Sequence, residues 1–168
     1  MSTRHKRRYR PRPVTADTMA LALHFAAKPS QADRQEVLGV LQQAHKALRE
    51  GVATQMHWSI LSGALETAQA IERKGVVRGL GGHLEAAQIA LHTIWRRSAV
   101  NGAWRSPTLH YQELDAIGTF VELHTFQIHQ LGRAELLAAM DAAARRIKAG
   151  GGDVCVLDQQ QYQQQVAA

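Results

Sequence analysis

The chain contains one cysteine, four prolines and only 5% aromatic residues among its 168 residues. Because Cys155 has no second cysteine to pair with, an internal disulfide is excluded, which is typical of a reducing compartment. No apolar run reaches the roughly 18 residues that a membrane-spanning helix requires. The basic start is followed by a signal-like apolar stretch, but Asp17, Thr18 and His24 interrupt it. We therefore expect a cytoplasmic protein.

The sequence lacks the spacing of a helical metal site, although it has nine histidines. On a helix, two side chains converge on one ion only when they lie three or four residues apart. His124 and His129 are five residues apart, and His83 and His92 are nine apart. Glu122 and His124 are two apart and face different sides of a helix. We predict no metal site and interpret His124 as a hydrogen-bonded core residue.

Motifs for catalysis and phosphate binding are also missing. No serine occupies a G-x-S-x-G turn, and Cys155 follows three glycines in a tail. Glu113 and Asp115 are close in sequence but point apart on a helix. The four glycines between positions 75 and 82 follow a predicted helix, whereas a phosphate loop follows a strand. They are interpreted as a helix–helix connection, and we expect no enzymatic activity and no cofactor.

Apolar residues recur at spacings of three and four, which is typical of amphipathic helices. Glycines and prolines separate these segments, and Ser30 followed by Asp33 predicts a capped helix start. The first predicted helix covers 15–27, the second runs from Ser30 to Glu50, and the third lies between Thr54 and Gly75. The fourth ends at Asn101, the fifth at Gly132 and the sixth at Gly150.

The same spacing predicts which side chains form the core. On the fifth helix the pattern is 3-4-3-4-3, which indicates a seam facing one or two partner helices. The predicted core residues, helix by helix from the second, are Val37, Leu41, Ala44 and Leu48; Ile60, Ala64, Ala68 and Ile71; Leu84, Leu91, Ile94 and Trp95; Leu114, Ile117, Val121, His124, Ile128 and Leu131; and Leu136, Met140, Ala143 and Ile147.

The chain is predicted to have three parts: a flexible basic arm at 1–13, a helical domain at 14–152 and a Gln-rich tail at 153–168. Pro107 forbids regular helix around it, so the stretch 104–110 is predicted to be extended. The fold class that follows is all-α, a compact bundle of five or six helices with a disordered arm.

The net charge of +6 lies entirely in the arm, which has no acidic residue. The other 14 basic residues are balanced by 14 acidic ones, so the body is formally neutral. Arginine forks and one aromatic ring suit a nucleic-acid backbone and an unpaired base. An acidic protein partner and a solvated tail without a partner remain open alternatives. The candidate nucleic-acid-binding residues are Arg4, Lys6, Arg7, Arg8, Tyr9, Arg10 and Arg12.

A second candidate surface flanks the predicted turn at Asn101 and Gly102. The large rings and guanidiniums there are the residue types enriched in binding hot spots. The alternative, which we favour, is that both tryptophans pack inward while the arginines stack on their edges. The candidate partner-binding residues are Trp95, Arg96, Arg97, Trp104 and Arg105.

Three blocks carry a family resemblance: RYRPRPV at 8–14, SGALETA at 62–68 and VELHTFQ at 121–127. With them the chain resembles a family of small uncharacterised proteins encoded in prophages of Gram-negative bacteria. The resemblance implies a phage origin, a helical fold and a host bacterial cytoplasm, and it assigns no functional residue. We expect a non-enzymatic accessory protein that contacts nucleic acid through the arm. The alternative is an anti-defence or host-takeover inhibitor that binds a host protein complex through the neutral body, with a virion-assembly role third.

Overall fold

The computed structural model describes residues 27–100 and 103–152, which form five α-helices and a short antiparallel pair of strands. The all-α bundle predicted from the sequence is confirmed. The basic arm, the predicted first helix apart from Ala27, and the Gln-rich tail lie outside the described residues. The elements are α1 (Gln31–Arg49), α2 (Gln55–Lys74), α3 (Gly81–Ser98), β1 (Ala99–Val100), β2 (Ala103–Trp104), α4 (Tyr111–Gln130) and α5 (Arg133–Ala149).

Local chemistry accounts for where the first two helices begin and end. The Ser30 hydroxyl accepts the Asp33 N–H at 3.1 Å, and the Asp33 carboxylate accepts the Ser30 N–H at 3.2 Å. This reciprocal cap satisfies two N–H groups that no helical carbonyl can reach. Gly75 ends α2 at a φ of 77°, a left-handed conformation that costs little without a Cβ. The start of α1 after Ser30 and the end of α2 at Gly75 both agree with the prediction.

Helix α2 is the centre of the bundle and packs against the four other helices. Its fully buried Leu61 and Ile71 belong to one core cluster with large apolar side chains of the neighbours, among them Ile94 of α3 and Phe120 of α4. Each such burial stabilises the fold by about 1.5–3 kcal/mol before the loss of chain entropy is subtracted.

The predicted core register is correct for most of α4 and wrong at one position of α5. Ile117, Val121 and Ile128 are buried as expected. Met140 is 42% exposed, however, and Ala139 occupies the core position instead. Helix α5 meets α2 through a narrow face that contains alanines, which allow close approach. Met140 follows Ala139 directly and therefore points about 100° away from that face.

The stretch after α3 is non-helical, as predicted, and forms a hairpin. Ala99 pairs with Trp104 and Val100 with Ala103, and residues 105–110 then lead to α4 without regular structure. Pro107 is buried within that stretch. Among the described residues, no helix is long and apolar enough to cross a membrane.

The bundle has two ends. At the hairpin end, the last turns of α1 and α3 lie beside β1–β2 and the first turns of α2 and α4, as shown by bonds from Trp104 to Ala53 and from Arg97 to Glu113. At the opposite end, Arg133 N–H donates to the Ala27 carbonyl at 3.0 Å and its side chain approaches Asp33 at 3.7 Å.

Candidate functional site

The three tryptophans of the chain form one cluster at the hairpin end. The Trp58 and Trp95 ring centroids are 4.4 Å apart, and those of Trp95 and Trp104 are 5.8 Å apart. The Trp58 indole N–H donates to the Leu91 carbonyl and that of Trp104 donates to the Ala53 carbonyl, both at 2.8 Å. Because the three rings are half-buried and two of the indole N–H groups are bonded within the protein, inward packing describes them better than an exposed anchor patch.

An ion pair between Arg97 and Glu113 holds the hairpin end together, and we call it the Arg97–Glu113 clasp. Arg97 donates to both carboxylate oxygens, at 2.7 and 2.6 Å, and to the Thr108 carbonyl at 3.0 Å. Glu113 also accepts the His110 N–H at 3.0 Å. Burial acts to raise the pKa of Glu113, but the hydrogen bonds from Arg97 and His110 outweigh it and lower that pKa.

The clasp was missed by sequence reasoning. Glu113 was compared only with Asp115, which lies on the exposed side of α4. Arg97 was interpreted as a surface residue that stacks on a ring edge, whereas its guanidinium binds a carboxylate 16 residues away. A signal was present, because a glutamate three residues after a helix cap commonly turns back to the cap N–H.

Three arginines at the hairpin end have no acidic partner within salt-bridge distance among the described residues. Arg49 ends α1, Arg96 lies in the last turn of α3, and Arg105 follows β2; all three are exposed. The Arg105 N–H donates to the Ser98 carbonyl at 2.9 Å, so its backbone is tied to the end of α3. Their side chains therefore have no intramolecular role that the structure shows.

A shallow groove of about 430 Å³ lies at this end of the bundle, lined by Arg49 and by Ser106, the residue after Arg105. It runs between the end of α1, with Arg49 on its rim, and the stretch after β2, with Ser106 and Thr108 on its rim. Leu48, Leu109 and Leu114 also line it, together with Glu50. We call the groove and Arg49, Arg96 and Arg105 together the hairpin-end surface.

The charge of Arg49 acts on His45, one turn earlier on α1. The pKa of His45 is lowered first by burial and second by the charge of Arg49, against an opposing effect of Glu122. Two nearby carboxylates have a cation beside them: Glu113 is paired with Arg97, and Glu50 lies 3.8 Å from Lys46.

A second groove, of about 340 Å³, lies between the end of α2 and the start of α3. Its main polar group, Glu72, accepts the N–H groups of Leu80 at 3.0 Å and Gly81 at 2.8 Å. The carboxylate therefore caps α3, where the helix dipole favours a negative charge. The glycine-rich segment is a helix–helix connection, as predicted.

His124 is a buried, hydrogen-bonded core residue, as predicted. Its Nδ1–H donates to the Gln127 Oε1 at 3.0 Å, and the Gln127 amide donates to the Ala68 carbonyl of α2 at 3.2 Å. We call this chain the His124–Gln127 relay. Burial lowers the pKa of His124 in spite of the bond to Gln127. Across 27–100 and 103–152, no three His, Cys, Asp or Glu side chains come together as a metal site would require.

The predicted nucleic-acid-binding residues all lie in the arm, outside the described residues. Of the predicted partner-binding residues, Trp95 and Trp104 are in contact, Arg97 forms the clasp, and Arg96 and Arg105 are exposed at the same end of the bundle. No protein-family description matches the chain, and no curated protein and no solved structure is similar to it. The resemblance to prophage proteins therefore stays a prediction.

Proposed function

We propose that this protein is a non-enzymatic binding protein that contacts nucleic acid through its basic arm at 1–13. The observation that carries the proposal is the segregation of charge. Six basic residues and no acidic one lie between positions 4 and 12, a charge equal to the net charge of the whole chain. Such a segment gains affinity for a polyanion by releasing condensed counterions.

Salt dependence tests the proposal directly. If all six basic residues neutralise phosphates on duplex DNA, log K falls with log salt at a slope of about −5, with dissociation constants of about 10⁻⁴–10⁻⁶ M at physiological salt. The measurement is fluorescence anisotropy with labelled single- and double-stranded oligonucleotides. Replacing Arg7, Arg8, Arg10 and Arg12 with Ala removes most of that slope. Tyr9→Ala weakens single-stranded binding more than duplex binding, because only unpaired bases offer a stacking face.

Deletion of residues 1–13 is the decisive comparison. It abolishes most of the binding while leaving the melting temperature of the body almost unchanged, because the arm has few apolar side chains to bury. Equal affinities of the full chain and the deletion, or no binding at low salt, exclude the nucleic-acid function.

Protein–protein contact through the body is the second candidate, and exposed apolar side chains favour it. Leu137 is 50% exposed and Met140 is 42% exposed, one turn apart on α5. A single exposed apolar side chain is common on a protein surface. Leu137 and Met140, however, lie at positions i and i+3, so they are neighbours on the helix and form one apolar patch.

This alternative, in which the partner is a host protein complex, is tested with the same deletion. The alternative is supported if the variant without residues 1–13 captures a protein from nuclease-treated bacterial lysate. The capture must also be lost when Leu137→Gln and Met140→Gln are added to that variant. The matched control is Ile89→Gln, which makes the same kind of change at a residue of α3 that is 61% exposed. Capture that depends on the arm or on intact nucleic acid argues against it.

A further inference from the structure

We propose that the hairpin-end surface is a second contact site for the phosphodiester backbone of the nucleic acid bound by the arm. This inference rests on the proposed function and extends it from the arm to the folded body. It assigns a role to Arg49, Arg96 and Arg105, which the clasp, the tryptophan cluster and the helix caps leave unused.

The chemistry of the surface fits an oxyanion, and we assign it to phosphate because the proposed function supplies a nucleic acid. Arginine presents a planar fork of N–H donors that matches two oxygens of a phosphate. The hydroxyls of Ser106 and Thr108 on the groove rim are the other donors commonly used for backbone phosphates. The leucines of the groove offer an apolar face for a sugar or base.

The backbone that carries these arginines is held in place before any ligand arrives. Arg105 is bonded through its N–H to α3, and the preceding Trp104 is bonded to the turn before α2. The clasp fixes Thr108 and the start of α4 on the other side. A rigid support reduces the entropy lost on binding, so most of the remaining cost is the ordering of three exposed side chains.

Acidic groups close to the surface do not cancel it. Glu113 is neutralised by Arg97, and Glu50, which lines the groove, is 3.8 Å from Lys46. The exposed Asp115 lies in the second turn of α4 and is the remaining carboxylate near this end of the described bundle. Because three unpaired arginines outnumber this one unpaired carboxylate, the net charge of the hairpin-end surface stays positive.

The tryptophan cluster supplies a probe of this end of the molecule. The chain has three tryptophans and all three lie in the cluster, two of them directly before Arg96 and Arg105. Intrinsic tryptophan emission therefore reports on the hairpin end, whereas anisotropy of a labelled oligonucleotide reports binding anywhere.

The test combines these two readouts in the full chain. With unlabelled oligonucleotides, single- and double-stranded, the wild type changes its tryptophan emission on binding. The three arginines make the salt slope of log K steeper by about 2–3 than the value of about −5 that the arm gives by itself, following the rule of about 0.9 per phosphate contact. The variant with Arg49→Ala, Arg96→Ala and Arg105→Ala loses both the emission change and this added slope. The variant with Lys at all three positions keeps most of the slope.

The matched control removes the same charge from the opposite end, with Arg73→Ala, Lys74→Ala and Arg78→Ala, all exposed. This control keeps the emission change and a near wild-type slope. An unchanged slope in the hairpin-end variant, or an equal loss in the control, overturns the inference. Displacement of the oligonucleotide from this surface by polyglutamate at equal charge concentration also overturns it, in favour of an acidic protein partner.

The two proposals fail in different ways. If deleting residues 1–13 leaves binding intact, the proposed arm function fails. If the deletion weakens binding while the hairpin-end variant matches the wild type, only the present inference fails. Circular dichroism melting confirms that each variant is folded, which is expected because the substituted side chains are exposed.

Discussion

The Arg97–Glu113 clasp and the His124–Gln127 relay each give a buried polar side chain a partner, the clasp at the rim of the bundle and the relay in its core. The clasp lies at the rim, where the side chain of Arg97 is 33% exposed and that of Glu113 is 10% exposed, and both groups stay ionised. The relay lies in the core, with His124 and Gln127 almost fully buried, and its hydrogen bonds join neutral groups. Water access at the rim lowers the desolvation cost of a charge, whereas the core tolerates only neutral, paired polar groups.

The largest expected effect is a charge placed in the relay. His124→Asp is expected to lower the free energy of unfolding by about 3 kcal/mol or more, because it buries a carboxylate without a cation. Urea denaturation at pH 7 measures the loss. Phe126→Asp is the matched control on the same helix, since Phe126 is 53% exposed and its replacement costs less than about 1 kcal/mol. Similar losses for both variants contradict the buried position of His124.

Removing the carboxylate of the clasp is expected to have the next largest effect. Glu113→Ala costs about 2 kcal/mol, because it removes a bidentate ion pair and the acceptor of the His110 N–H. The cost stays below that of His124→Asp because water reaches the released Arg97. The control is Asp115→Ala, two residues on and exposed. If chemical denaturation gives the same loss of unfolding free energy for Asp115→Ala as for Glu113→Ala, the clasp does not stabilise the fold.

Breaking the relay without adding charge is expected to cost less. His124→Leu lowers the free energy of unfolding by about 1–2 kcal/mol, because the Gln127 Oε1 loses its donor inside the core. Adding Gln127→Leu recovers part of this loss, since no orphaned acceptor remains. A double-mutant cycle is expected to give a coupling energy of about 0.5–2 kcal/mol. Strict additivity of the two substitutions shows that the residues do not interact.

The smallest expected effect is the response to mild acid. Burial lowers the pKa of His45, His57 and His124 below the ordinary 6.5, and the Nδ1 of His57 also accepts the Thr54 N–H. The unfolded chain then binds more protons than the folded one below pH 6.5, so stability is complete above that pH and falls as the pH drops through the lowered values. Melting temperatures between pH 7.5 and 5 measure this. His124→Leu is expected to flatten the dependence.

Sequence reasoning was most successful where the cause is local. The cap at Ser30 and the stop at Gly75 depend on groups within four residues, so the ends of α1 and α2 followed from the sequence. The seam of α4 followed from its periodicity, and buried His124 was identified on it. The exposure of Met140 was not predicted, because a helical pattern alone does not state how much of an apolar stripe its neighbours cover.

The candidate surface could be predicted only in part. Trp95, Arg96, Trp104 and Arg105 were singled out because they are close in sequence, and the hairpin does bring the rings of Trp95 and Trp104 together. Arg49 was missed, since it joins them only when the end of α1 packs beside the stretch after β2. Arg97 was given the wrong role because its partner lies beyond the hairpin on α4.

By itself, the sequence determined the helical class, the segregation of charge into the arm and the ends of individual helices, since all three depend on composition or on contacts within one turn. Only the tertiary structure decided which arginine of the hairpin end is neutralised and which are left without a carboxylate. Arg97 reaches Glu113 because the hairpin reverses the chain and sets α4 against α3. Arg96, one residue earlier and about 100° around the helix, faces solvent.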